Sequence, residues 1–347
     1  MAAVRGVVQS ERVLVPDEKE ANSLYNKGSF GVPQRGGALL LDLLEALYLV
    51  EADRLRVEGQ DAAGLLRYAS AREAAFENRF IVYRDLRART FAVKRASDHD
   101  FHLYPRGALP GKSASSHLVR CAAERDAFDA PGVLAELDAA KRAGKKLLLA
   151  LVDEEGDLTY YDVAEPELRA KVPALPAARA RAVLLDDRVM ALGRDDAAML
   201  FGEGYFGRDV GVGLQLSLPE ALYLAQADRL ALEDVAGAPL PSEKLAKRAA
   251  ELEPDFALRH RLYAHLRRQG VVVKTGFKYG THFRAYVGAP EEEHAPYLVH
   301  ALAEGRRLPW PEIAGFVRLA HGVRKRLFFA VPSGETFRLL ELARTRP

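Results

Sequence analysis

The sequence is poor in cysteine and in long apolar runs. Cys121 is the only cysteine among 347 residues, which excludes an internal disulfide and a zinc site built from cysteines. No run of eighteen apolar residues occurs, and the first residues lack the basic, apolar and small-residue regions of a signal peptide. We therefore expect a cytoplasmic protein without a membrane-spanning segment. Its length and its 49% content of hydrophobic residues suffice for two domains with cores of their own.

The net charge of +2 conceals an uneven distribution. Residues 256–347 carry 16 Lys and Arg against seven Glu and no Asp, a net +9, so the preceding 255 residues carry −7. A basic segment of this kind favours a polyanionic partner such as a nucleic acid. Basic residues also cover solvated faces, so charge alone leaves both interpretations open.

The chain contains an internal repeat. LLEALYLVEADRL at 43–55 recurs as LPEALYLAQADRL at 218–230, a shift of 175 residues. Further pairs follow in the same order, including YRDLR with YAHLR, FAVK with VVVK, DFHLY with HFRAY, and KKLLLALV with KRLFFAVP. The proline-containing segment PELRAKVPALPAARARA is the predicted linker. We therefore predict two domains, residues 1–170 and 171–347.

Each copy is predicted to belong to the α+β class. Apolar residues at three- and four-residue spacing run through LLLDLLEALYLVEADRL and AGLLRYASAREAAFENRFIVYRDLR, which indicates a helical N-terminal part. Short strand patterns, one helix and two final strands follow in both copies. The prediction is two tandem repeats, each with a helical N-terminal part followed by a small mixed α/β subdomain.

The second copy holds side chains that could cleave RNA without a metal. Such cleavage needs a base for the ribose 2′-hydroxyl, an acid for the departing 5′-oxygen, and a cation for the charge on the phosphate. Tyr286, His294 and Lys325 can fill these roles. A histidine can donate a proton at neutral pH, and nearby positive charge makes a tyrosine a better base.

Ordinary interpretations of these three residues stay open. Tyr286 could be a strand aromatic, His294 a loop residue after three glutamates, and Lys325 one charge of a solvated Arg-Lys-Arg run. Other residues of the same types are competing candidates: Tyr279, His282, His300 and His321. The histidines show no metal-ligand spacing such as H-E-x-x-H, so no metal site is expected.

Three segments of the second copy resemble a known family. VVVKTGFKYGTHFRAY, HAPYLVHAL and VRLAHGVRKRLFFAV are closely similar to the catalytic repeat of archaeal tRNA-splicing endonucleases. In that family the tyrosine ending the FRxY strand, the histidine opening HAxYLV and the lysine before the last apolar strand form the catalytic triad. The resemblance implies that Tyr286, His294 and Lys325 are catalytic, within a nuclease-like subdomain at about residues 263–347.

The resemblance also implies two RNA-binding arginines. Members of the family hold a bulged base between two arginines by cation–π stacking, which tolerates any base. Arg318 matches the first arginine. Arg338 matches the second if the hairpin VPSGETFR is about two residues shorter than usual. Either residue could otherwise be a surface arginine.

The resemblance further implies a substrate and an assembly. We expect a homodimer that cuts precursor tRNA at a bulge-helix-bulge motif and needs no metal or cofactor. The expected products are 2′,3′-cyclic phosphate and 5′-hydroxyl ends. Two rivals remain: a noncatalytic RNA-binding or structural subunit that needs an active partner, and a metal-dependent nuclease.

The first copy is predicted to be an inactive scaffold. Aligning the copies places Ala114 opposite His294, although Tyr104 and Lys145 match Tyr286 and Lys325. A site without a proton donor must expel its leaving group unaided.

The first copy also contains an acidic turn between its last two predicted strands. The turn carries four carboxylates, those of Asp153, Glu154, Glu155 and Asp157. A solvated polar turn is the plain interpretation. In the family that the chain resembles, an acidic loop of the noncatalytic repeat docks into a basic pocket of the partner chain. The four residues are therefore the predicted dimer contacts.

Overall fold

A computed structural model describes residues 3–290 and 295–347. The chain forms two compact units, one comprising Met1–Ala127, Gly132–Val163 and Ala343–Pro347, and the other Phe128–Pro131 and Ala164–Leu342. Residues 166–179 of the predicted linker contain no helix or strand. The domain boundary between residues 170 and 171 stays a prediction. Within the described ranges, no helix is both long and apolar enough to cross a membrane.

The N-terminal part of the first copy combines helices with a small sheet. Its elements are β1 (Val4–Gln9), β2 (Arg12–Val15), α1 (Glu18–Gly28), β3 (Val32–Pro33), β4 (Leu39–Asp42), α2 (Leu43–Glu51), β5 (Leu55–Val57) and α3 (Ala62–Ser70). The sheet has the strand order β3-β4-β2-β1-β5. The remainder of this copy consists of α4 (Phe76–Ala88), β6 (Val93–Arg95), β7 (Phe101–Leu103), β8 (His117–Ala123), β9 (Ala127–Phe128), α5 (Ala130–Arg142), β10 (Lys146–Val152) and β11 (Leu158–Ala164). Strands β6, β7, β8, β10 and β11 are hydrogen-bonded in that order.

The second copy repeats this arrangement. Its N-terminal part holds β12 (Ala180–Leu184), β13 (Val189–Ala191), α6 (Arg194–Gly204), β14 (Arg208–Asp209), β15 (Leu214–Leu216), α7 (Leu218–Gln226), β16 (Leu230–Glu233) and α8 (Ser242–Leu252). The elements that follow are α9 (Phe256–Arg268), β17 (Val272–Thr275), a 3-10 turn (Phe277–Tyr279), β18 (Phe283–Tyr286), β19 (Tyr297–Ala301), β20 (Leu308–Pro309), α10 (Trp310–Gly322), β21 (Arg326–Ser333) and β22 (Thr336–Thr345). Strands β17, β18, β19, β21 and β22 are neighbours in that order, and only β19 and β21 run parallel. The α+β class is thus confirmed.

The predicted start of one helix was wrong. Leu39–Asp42 was expected to be helical but forms strand β4, which pairs with β2. A run of only three leucines fits either period, so its pattern does not distinguish strand from helix. Helix α2 begins only after Asp42, whose Oδ1 accepts a hydrogen bond from the backbone of Leu44 at 2.9 Å. The capping box closed by Glu45 fixes that start, and Ser217 and Glu220 do the same for α7.

One face of strand β18 packs into the core of the second copy, so only side chains on its other face can belong to an active site. Phe283 and Ala285 are buried in the main apolar core together with Leu262 of α9 and Phe328 of β21. Because side chains alternate along a strand, Arg284 and Tyr286 lie on the opposite face of β18. The fold thereby places Tyr286 at the end of its strand and outside the main core.

Candidate active site

Tyr286 occupies the last position of β18. It is only 5% exposed and packs against Val272 and Ala295 in a small cluster separate from the main core. The pairing of β17 with β18 sets Val272 directly opposite Tyr286. The register of these strands therefore fixes where the tyrosine lies.

Lys325 lies in the short connection between α10 and β21. Arg324 has a left-handed backbone (φ 55°), which lets the chain reverse after the helix. The backbone N–H of Lys325 then donates to the carbonyl of Ala320 at 2.9 Å. The Lys325 ammonium donates to the carbonyl of Ala295 and lies 5.4 Å from the ring centroid of Tyr279.

The structure brings two of the three predicted catalytic residues to one point. Tyr286 belongs to the same small buried cluster as Ala295, and Lys325 Nζ donates a hydrogen bond to the carbonyl of Ala295. Ala295 directly follows His294 in the chain. His294 itself lies outside the described residues, so its role stays a prediction.

Two competing histidines have structural partners instead. The rings of His282 and His300 stack at 4.2 Å between centroids. His282 Nδ1 accepts a hydrogen bond from the backbone of Ala301 at 2.9 Å, and its Nε2 lies 3.0 Å from Asp255. Burial lowers the pKa of His282, and burial together with the neighbouring His282 lowers the pKa of His300 to about 3. Both rings are therefore neutral at physiological pH and unsuited to donate a proton to RNA.

The other two candidate residues, His321 and Tyr279, differ in their exposure and in their contacts. His321 is exposed in the last turn of α10. Tyr279 is half-buried and contacts the Lys325 ammonium through its ring. Tyr279 thus belongs to the surroundings of Lys325.

The two predicted RNA-binding arginines differ in their surroundings. Arg318 is exposed on α10, and no partner for it is seen among the described residues. Arg338 on β22 is half-buried, and its guanidinium binds both carboxylate oxygens of Glu165, at 2.6 and 2.8 Å. Glu165 therefore fixes the plane of the Arg338 guanidinium.

The hairpin that carries Arg338 is short. Pro332 pairs with Phe337 across four residues, whereas Val152 pairs with Leu158 across five in the first copy. The hairpin of the second copy is thus one residue shorter than that of the first copy. Gly334, with a left-handed backbone (φ 58°), lies in this turn.

The acidic turn of the first copy is organised by one of its own carboxylates. Asp153 Oδ1 accepts hydrogen bonds from the backbone N–H groups of Glu155 at 3.0 Å and Asp157 at 2.8 Å. Glu154 forms an ion pair with Arg125 at 2.5 Å. The side chains of Glu155 and Asp157 are exposed, and none of the described residues is seen to pair with them. Two of the four charges thus remain available to another molecule.

The matching site of the first copy has a different arrangement. Lys145 Nζ lies 3.3 Å from His102 Nδ1, whereas Lys325 is bound to a backbone carbonyl. Burial, followed by the charge of Lys145, lowers the pKa of His102, and burial raises the pKa of Tyr104. Ala114 is exposed at the position matched to His294.

One buried ion pair recurs in both copies and was not among the predicted residues. Glu220 on α7 is 4% exposed and binds Lys274 of β17 at 3.2 Å, and Lys274 also donates to the carbonyl of Gly207 at 2.6 Å. Glu45 and Lys94 form the matching pair at 2.7 Å. The sequence does contain a signal for this pair: the glutamate recurs in both LxEALYL segments, and the lysine recurs in both xVK segments.

Two protein-family descriptions each match the chain twice, once in each copy. The description "tRNA intron endonuclease, N-terminal domain" matches residues 4–66 and 180–246. The description "tRNA intron endonuclease, catalytic C-terminal domain" matches residues 76–160 and 256–337. The chain belongs to the tRNA intron endonuclease family. The family prediction, and with it the prediction of an RNA endonuclease, is confirmed.

Full-length relatives of this endonuclease come from archaea. It is 36% identical to the tRNA-splicing endonuclease of Methanococcoides burtonii over 99% of this chain and 100% of the relative. It is 36% identical to the protein of the same name from Methanosarcina mazei over 100% of both chains. The tRNA-splicing endonuclease of Haloferax volcanii is 34% identical over 88% of this chain and 89% of the relative.

Proposed function

We propose that this endonuclease cleaves precursor tRNA at the two junctions of a bulge-helix-bulge motif without a catalytic metal. The observation that carries the proposal concerns Ala295, the residue after His294. Ala295 shares a small buried cluster with Tyr286, and its carbonyl accepts a hydrogen bond from the ammonium of Lys325. Relatives that match this chain over their full length are named tRNA-splicing endonucleases, which supports precursor tRNA as the substrate.

The three side chains divide the chemistry among them. Tyr286 takes the proton of the ribose 2′-hydroxyl, and the 2′-oxygen attacks the phosphorus. The bond from phosphorus to the 5′-oxygen breaks, and His294 gives that oxygen a proton. Lys325 neutralises the charge that develops on the phosphate oxygens. The products are a 2′,3′-cyclic phosphate and a 5′-hydroxyl, and no metal takes part.

Arg318 and Arg338 hold a bulged base between their guanidinium planes. The exposed position of Arg318 on α10 suits contact with RNA. The Glu165 carboxylate binds Arg338 along its N–H edge, and stacking uses the face of the guanidinium instead. Glu165 therefore orients Arg338 for stacking rather than competing with the base.

The endonuclease acts as a homodimer in which the acidic turn of one chain docks into the catalytic copy of the other. A cavity of about 520 Å³ in the catalytic copy is lined by Arg208, Gln215, Lys274 and Arg284. Asp209 and Glu220 line it as well, so three cations face two carboxylates and a net charge of +1 remains for an acidic partner. One site per chain then supplies two sites in a fixed relation, as the two cuts of intron removal require.

Incubation of the purified chain with folded precursor tRNA in EDTA tests the function against its rivals. We expect cutting at both junctions and ends that carry cyclic phosphate and 5′-hydroxyl groups. RNA binding without cutting, relieved only by a second protein, would identify a noncatalytic subunit. Cutting that stops in EDTA and resumes with a divalent metal would identify a metal-dependent nuclease.

A further inference from the structure

Phe277 is an aromatic side chain that the fold leaves uncovered. It is 85% exposed, more than any other large apolar side chain in the described part of the chain. It lies in the 3-10 turn between β17 and β18, the strand that ends in Tyr286. Exposing an aromatic ring to water is unfavourable, so this side chain is a candidate for contact with another molecule.

The turn that presents Phe277 is held by its own hydrogen bonds. Gly276 N–H donates to the carbonyl of His282 at 3.0 Å, and Tyr279 N–H donates to the carbonyl of Gly276 at 2.8 Å. The N–H of Phe277 donates to Thr275 Oγ1 at 3.3 Å. A Cβ atom at Gly276 would lie 2.5 Å from the carbonyl oxygen of Thr281, so this close approach requires glycine. The ring of Phe277 is therefore presented by an ordered turn, which lowers the entropy cost of binding.

The same turn contacts the catalytic lysine. Tyr279, two residues after Phe277, lies with its ring 5.4 Å from Lys325 Nζ. Lys278, between the two aromatics, is exposed. Aromatic rings that stack on bases, placed beside cations that attract phosphates, are the usual means of holding unpaired nucleotides.

The first copy provides an internal comparison. Its matched connection, from Lys94 to Phe101, is two residues shorter than that from Lys274 to Phe283 and reads RASDHD instead of TGFKYGTH. It has no phenylalanine before β7, and Asp98 within it is exposed. The uncovered aromatic ring and its flanking lysine therefore occur only in the copy predicted to be catalytic.

We propose that Phe277 stacks on an unpaired nucleobase of the RNA next to the scissile phosphate. The inference rests on the proposed function, because it takes precursor tRNA as the ligand. Stacking of this kind has no sequence preference, since every base has a π-face.

Binding of a precursor tRNA with 2′-O-methyl ribose at both cleavage positions, which blocks cutting, tests the proposal. We expect F277A and F277L to weaken binding roughly tenfold or more, and F277W to bind as the wild type does. The salt dependence of binding should not change in F277A, because no charge is lost. The slope should fall by about one in K278Q. The control V235A removes an equally uncovered apolar side chain from the N-terminal part and should bind normally.

Three outcomes would overturn the inference. Wild-type binding by F277A would mean that the ring does not contact RNA. Wild-type binding by F277L would mean that apolar volume suffices without stacking. If F277A dissociates the dimer in sedimentation, the ring contacts a second copy of the chain and not the RNA. In each case the wild-type chain still binds and cuts precursor tRNA, whereas a wild-type chain that does neither would refute the proposed function itself.

Discussion

The hydrogen bond from Lys325 to the carbonyl of Ala295 links the lysine to the residue that directly follows His294 in the chain. An ammonium group carries three donors, and one of them is committed to this carbonyl. The remaining donors can bind phosphate oxygens, while the bond to Ala295 ties the residue after His294 to Lys325. Lys325 is thus expected to act both as the cation of the reaction and as an anchor for the segment that supplies the acid.

Replacing the proposed acid should stop the chemistry and spare binding. We expect H294A to slow cleavage by a factor of roughly 100 to 10,000, because that is the usual contribution of a general acid. Binding of the uncleavable 2′-O-methyl substrate should stay within about twofold of the wild type, since phosphate contacts are untouched. Single-turnover rates and gel shifts measure the two effects separately.

His321 offers a matched control for this substitution. It is exposed on α10, so H321A should keep both rate and binding. Added imidazole should restore part of the rate of H294A and leave H321A unaffected. Cleavage by H294A at the wild-type rate would remove His294 from the mechanism.

At the scale of elements, the pair of Glu220 and Lys274 ties α7 to β17 and thereby supports the strand beside Tyr286. Burial alone would raise the pKa of Glu220, but Lys274 and the hydrogen bonds from Ser217 and Gly207 hold the pKa below its ordinary value. A carboxylate with a lowered pKa stabilises the fold above its ordinary pKa and loses that contribution as the pH falls. The pair is therefore expected to contribute fully at neutral pH.

Removing the lysine should leave a buried charge without its partner. We expect K274M to lower the free energy of unfolding by about 3–5 kcal/mol at about pH 7. In this variant burial dominates, so the pKa of Glu220 rises and the carboxylate takes up a proton as the pH falls. The loss should therefore be smaller at about pH 5. Urea unfolding followed by the fluorescence of Trp310, the only tryptophan and a residue of the same unit, measures both values.

Two variants separate this effect from general damage. K278M removes an exposed lysine of the neighbouring turn and should leave the unfolding midpoint unchanged. The double variant K274M/E220Q should recover part of the lost stability, because the unpaired charge is gone. An equal loss for K274M at both pH values would mean that Glu220 does not control the effect.

The last two strands of each copy were predictable from sequence because each is long and rich in apolar residues, and β10, β11, β21 and β22 were all predicted. The strand Leu39–Asp42 was assigned to a helix, since a run of only three leucines has no distinguishing period. Within the site, the resemblance selected Tyr286 and Lys325, but it could not indicate that both contact Ala295. The exposure of Phe277 depends on a turn that β17 and β18 define only after folding.

At the scale of the whole molecule, we expect the uneven charge to favour assembly of the proposed dimer. The acidic turn lies in residues 1–255, which carry −7, and the cavity combines Arg208 from that part with Arg284 from the basic segment 256–347. Opposite charges on two copies of one chain favour association and fix its orientation. Within the turn, Asp153 accepts hydrogen bonds from the backbone and Glu154 is paired with Arg125. Attraction to a second chain is therefore expected to come from Glu155 and Asp157.

Removing only the two available charges should weaken the dimer without disturbing the turn. Truncating a charge that is buried against a partner commonly costs roughly 2–5 kcal/mol, and an exposed pair far less. We therefore expect E155Q/D157N to shift low-micromolar protein toward monomer in sedimentation, and paired cutting of precursor tRNA to fall in step. Both should recover at higher protein concentration. E335Q, in the matching turn of the second copy, should remain dimeric. An unchanged dimer that still makes both cuts would mean that the acidic turn is only a solvated hairpin.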